Sequence, residues 1–87
     1  MESTKALLTP KEVCYPEARN EDEATAIRKL KESVDFTYAT TFREQVGIAC
    51  SFLRTDECRI SYSRLATMFN VNKGSIKDQE SKYRFGV

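Results

Sequence analysis

An all-α fold is what this chain predicts: helices gathered in one small domain behind a flexible N-terminal arm. Three observations point to it. Apolar residues recur at three- and four-residue spacing in four successive segments, each of these segments opens on a residue able to cap a helix, and short polar stretches separate them. At 87 residues the chain supports one domain at most. With 40% apolar and 31% charged residues it is too hydrophobic to be disordered throughout and too polar for a membrane protein.

Residues 1–20 hold Pro10 and Pro16, scattered polar side chains and the short Ala6-Leu7-Leu8 cluster, and read as a flexible arm. At Asn20 the character changes. Asn20 is a cap residue with Glu23 three positions on, and the acidic run Glu21-Asp22-Glu23 suits the positive end of a helix dipole. Ala24, Ile27, Leu30, Lys31 and Val34 then form a stripe, with Arg28, Lys29 and Glu32 opposite, so an amphipathic helix is expected over 21–34. It serves either as a fourth helix on the bundle or as a partner surface.

Residues 35–40 carry no helical repeat and read as a connection. Thr41 and Glu44 make a second capping box, and Phe42, Val46, Ala49, Cys50 and Leu53 follow at helical spacing, placing a helix over 42–53. Gly47 inside it costs on the order of 1 kcal/mol against alanine, which points to close packing there. The polar run 54–59 ends it. Ser61 caps a third helix whose buried stripe is Tyr62, Leu65, Ala66 and Phe69. Asn70-Val71-Asn72 breaks that helix, and Asn72 caps a fourth, over about 73–83. Val71 and Ile76 hold the two positions of a hydrophobic staple. Two short helices joined by about three residues must cross steeply, and Ala66 is small enough to let them approach.

Residues Ile60 to Lys77, with an apolar-Ala pair, a turn residue, Val71, the cap Asn72 and the Ser75-Ile76 pair, resemble the helix-turn-helix of homeodomain-like DNA-binding domains. The N-terminal segments of pogo-type and mariner-type transposases are the nearest look-alikes. The resemblance covers residues 42–83 and implies a three-helix helix-turn-helix domain over 41–85. It also implies double-stranded DNA as partner, with the second helix of the motif lying in the major groove. The turn position such domains usually fill with glycine is Asn70, a residue that visits the left-handed region.

The charge divides unevenly. Residues 1–58 carry eight basic against eleven acidic side chains, a net of −3, whereas residues 59–87 carry six against two, a net of +4. The positive charge thus falls on the motif, where a phosphate-binding surface needs it. The candidate contacts are Asn72, Lys73, Gly74, Ser75, Lys77 and Ser81 on the second helix, with Arg59, Tyr62 and Arg64 around the start of the first. Lys73 and Lys77 lie one turn apart, within reach of guanine edges or phosphates. Tyr62 reads first as a core residue and second as a contact; Arg64 reads the other way round. Asp78 and Glu80 must point aside or accept from a cytosine amino group.

With no histidine in the chain, Ser-His-Asp, Cys-His and His-bearing zinc chemistry are impossible. The cysteines Cys14, Cys50 and Cys58 contain no C-x-x-C and number three, so they form neither a metal knuckle nor a disulfide framework; Cys50 is expected to pack as a small apolar group. The expectation is therefore a DNA-binding module without catalytic residues, metal or cofactor. It has no membrane span, and it is intracellular, or nuclear if the source is eukaryotic. The alternative is a helical protein-interaction module, docking or self-associating through helix 21–34 or through the segment Phe36-Thr37-Tyr38.

Overall fold

The computed structural model describes residues 10–86. Five helices follow one another: α1 (Glu21–Glu32), α2 (Val34–Thr37), α3 (Phe42–Leu53), α4 (Tyr62–Phe69) and α5 (Lys73–Phe85). Among the described residues there is no strand, only an isolated bridge between Arg54 and Arg59.

Each helix starts on a short polar side chain that accepts from the first turn. Asn20 takes the Glu23 N–H, Ser33 that of Phe36, Thr41 that of Glu44, Ser61 that of Arg64 and Asn72 that of Ser75. Two acids return the favour from inside the helix: Glu23 accepts the Arg19 N–H at 2.9 Å, and Glu44 accepts from both the N–H and the hydroxyl of Thr40 at 2.9 Å.

The first helix is shorter than its apolar stripe predicts. Ser33 leaves the helical region (φ −70, ψ 121) and spends its hydroxyl capping α2, so the expected helix over 21–34 ends at Glu32. The same turn makes a helical turn of the expected connection and drives Phe36 into the core, where its ring meets those of Phe69 and Tyr15 at 6.4 Å. Val34, expected on the buried stripe, is 68% exposed.

The core is built from every helix. Leu30, Phe42, Val46, Ala49, Leu53, Ile60, Leu65 and Ile76 are fully buried, and Phe42 meets Phe69 edge-to-face at 5.5 Å. Ile27 and Leu30 commit the apolar side of α1 to this core, so α1 is a member of the bundle. Between α3 and α4 the chain doubles back: the Thr55 N–H reaches the Cys58 carbonyl at 2.8 Å and the Ile60 N–H reaches that of Leu53 at 2.9 Å. Cys58 is thereby buried inside what reads in sequence as a polar run, and Ile60 is buried just beyond it.

The expectation of a flexible arm needs correction over residues 11–15. Gln45 accepts the Lys11 N–H at 2.7 Å and donates to the Lys11 carbonyl at 2.9 Å, and the Cys14 N–H bonds the Met68 carbonyl at 2.9 Å. Val13 and Tyr15 pack on the core. A buried glutamine thus satisfies both backbone groups of Lys11. The remainder of the expected arm, residues 1–9 with the Ala6-Leu7-Leu8 cluster, lies outside the described residues.

Residues 70–72 join α4 to α5. Asn70 sits in the left-handed region (φ 57, ψ 47), and the Val71 N–H bonds the Ala66 carbonyl at 2.9 Å, closing α4 before Asn72 opens α5. At the far end, Gly86 (φ 70) closes α5 with its N–H on the Lys82 carbonyl.

Candidate nucleic-acid interface

The start of α5 is a polar, solvated surface. Asn72, Lys73, Gly74, Lys77 and Ser81 are exposed and Ser75 is half-buried, while Ile76 and Gln79 turn inward and fix which side faces out. Asn72 uses its side-chain oxygen on the Ser75 N–H at 2.8 Å, which leaves its amide group directed to solvent. A Cβ at Gly74 would stand 3.3 Å from that oxygen, so a side chain there would press on the cap.

Beside this surface Tyr62 gathers three charged groups from two other parts of the chain. Its hydroxyl donates to Glu80 at 2.6 Å, the Arg54 guanidinium lies 3.9 Å from the ring centroid, and the Lys77 ammonium lies 5.4 Å from it. The hydrogen bond to Glu80, with burial behind it, pushes the Tyr62 phenol above its usual range. Tyr62 is half-buried, so it belongs partly to the packing and partly to the surface. Arg54, absent from the sequence candidates, comes here because the chain doubles back after α3 and because its guanidinium also donates to the Ile60 carbonyl at 2.7 Å. No local pattern announces it.

The other candidates separate. Arg59 is exposed, 3.4 Å from Asp56 in the loop before α4. Arg64 turns the opposite way: it pairs with Glu23 of α1 at 2.9 Å and donates to the Glu17 carbonyl at 2.8 Å, with its side chain only 17% exposed. That pairing, followed by the Arg19 N–H, holds the Glu23 carboxyl below the usual range. Arg64 is a clasp between α4 and the start of α1, its two terminal nitrogens each engaged on that side.

The same geometry redistributes the +4 of the last third of the chain. Of its six basic residues, Arg59 faces Asp56, Arg64 faces Glu23, Lys82 faces Asp78 at 3.1 Å and Arg84 faces Glu80 at 3.8 Å. Lys73 and Lys77 remain without an acidic partner among the described residues. Of the acids of α5, Asp78 is thus drawn toward Lys82 one turn on, while Glu80 is shared between Arg84 and the Tyr62 hydroxyl. Of the segment Phe36-Thr37-Tyr38, Phe36 is 5% exposed and unavailable to a partner, whereas Tyr38 is 75% exposed.

Comparison with protein-family models, with curated proteins and with solved structures finds no match for the chain. No helix among the described residues is long and apolar enough to cross a membrane.

Proposed function

We propose that the chain binds double-stranded DNA through α4 and α5, with the first two turns of α5 in the major groove. The observation that carries this reading is the pairing pattern: among the described residues, Lys73 and Lys77 alone of the basic residues of the last third have no acidic partner, and both stand on the exposed opening of a helix. The positive end of the α5 dipole adds to their field. Asn72, Gly74, Ser75 and Ser81 supply polar side chains and a close backbone approach around them. Arg59 and the Arg54–Tyr62 pair flank the surface where a phosphate strand would run. Arg64 takes no part. In this arrangement α4 and α5 serve as the two helices of a homeodomain-like helix-turn-helix, as the sequence resemblance implies, and such a protein acts inside the cell, in the nucleus of a eukaryote.

Two free lysines and a few flanking groups make a modest polyanion site. Affinity for a labelled duplex is expected to fall with salt at a slope of about −0.9 per phosphate neutralised, hence roughly −2 to −4 in all. Titrations at about 50 and 200 mM salt measure that slope. Lys73→Ala with Lys77→Ala should weaken binding to every duplex and flatten the slope by about 2. Arg64→Ala should lower the melting temperature and leave the slope alone. Undetectable binding at the lower salt, or a slope indifferent to the lysines, overturns the reading. A selection from random duplexes then gives the preferred site.

A further inference from the structure

The turn at Ser33 that sends Phe36 inward necessarily sends Val34 and Tyr38 outward, two large apolar side chains left 68% and 75% exposed. They do not stand alone. With Tyr83 of α5 (46% exposed) and half-buried Ile48 of α3 they line one groove of about 330 Å³, so three of the four large apolar side chains most exposed among the described residues converge on one place. Scattered apolar residues on a surface need no explanation; convergence in a concave site marks a place of contact. The charge of the groove is equally one-sided. Asp35 and Glu44 line it, and among the described residues no lysine or arginine does. Hydrogen bonds from Thr40 hold the Glu44 carboxyl below its usual range.

A nucleic acid or an anionic membrane surface is repelled by such a rim, and an acidic peptide equally so. A segment with an aliphatic or aromatic anchor beside a cation satisfies both the floor and the rim. We propose that this groove docks a segment of a partner protein that sets an apolar side chain next to a lysine or arginine. Neither Lys73 nor Lys77 lines the groove, so the proposal stands independently of DNA binding.

Selection of a random displayed-peptide library on the full chain tests it. Enriched peptides should combine an apolar anchor with Lys or Arg. Synthesised peptides from the selection should bind the native chain, and should lose about tenfold or more in affinity on Tyr38→Ser, the loss expected when an anchor contact is removed. Asp35→Asn should weaken them too, and this loss should shrink as salt is raised. Both side chains are exposed, so neither substitution opens the core, and an unchanged melting curve confirms that the fold persists. The proposal is overturned if no peptide is enriched, if the enriched peptides are acidic, or if binding ignores Tyr38→Ser. It is also overturned if light scattering shows self-association that Tyr38→Ser abolishes, because the occupant is then a second copy of this chain.

Discussion

Glu23 and Arg64 lie 41 residues apart, and their pairing decides the fate of both. The arginine, from sequence a phosphate contact, becomes a tie between helices; the glutamate, from sequence a capping acid, caps and pairs at once. Its lowered pKa makes it a source of acid sensitivity. A carboxyl depressed in the folded state contributes stability that is present above its unfolded value and lost as pH falls through its folded value. Glu23→Gln should therefore lower stability at neutral pH by about 1–3 kcal/mol, the cost of leaving Arg64 without its partner, and flatten the decline below about pH 4.5. Denaturant titrations at a series of acidic pH values read both effects. The three cysteines divide by burial in the same way. Burial, with the nearby Glu80 charge, pushes the Cys50 thiol up to about 12, and burial also raises Cys58, while Cys14 is exposed. Because the thiolate is the nucleophile, an aromatic disulfide reagent should titrate Cys14 quickly in the native protein and reach Cys50 and Cys58 only as the chain unfolds.

At the scale of elements, α3 and α5 approach closely at Gly47. A Cβ placed on Gly47 falls inside the Tyr83 ring, so the glycine lets that ring lie against the backbone of α3. The atoms in the way belong to the base of the ring as well as its sides, so the whole ring must shift or turn to make room. Gly47→Ala gains about 1 kcal/mol in helix propensity and meets an overpacking cost of about 1–3 kcal/mol. The net expectation is a lowered melting temperature, with Tyr83→Ala in the same chain removing the penalty; thermal melts of the two singles and the double measure the coupling. The glycine is visible in sequence as a costly residue in a helix, but its partner is not, because nothing local ties position 47 to position 83. Helix starts fare better. Asn20, Thr41, Ser61 and Asn72 are legible because a cap and its acceptor lie within one turn, whereas Ser33 is missed because the apolar stripe of 21–34 runs on past it.

At the scale of the whole molecule, one core is shared by the segment 11–15, the five helices and the doubled-back loop. Leu65 and Ile76 stand at its centre, both fully buried, one on each side of the turn at Asn70. Truncating either to alanine costs about 2–5 kcal/mol, which is a large part of the stability of a domain this small. Circular-dichroism melts of Leu65→Ala and Ile76→Ala should show each variant unfolded or melting far below the native chain. The charge pattern is likewise a property of the whole fold: a +4 segment reduces, among the described residues, to two lysines without an acidic partner once Glu23 and Asp56 are brought in from outside it.

The sequence by itself determined the all-α class, the helix over 42–53, the positions of the turn and caps around Asn70 and Asn72, and the exclusion of histidine chemistry. These follow from local periodicity, from hydrogen bonds within a single turn and from composition. Only the tertiary structure decided that Arg64 is a clasp, that Arg54 joins Tyr62 and Lys77, that residues 11–15 are held by Gln45, and that Val34 and Tyr38 open a groove. Each of these depends on side chains brought together from distant parts of the chain, and a pairing of that kind leaves no trace in the spacing of neighbours.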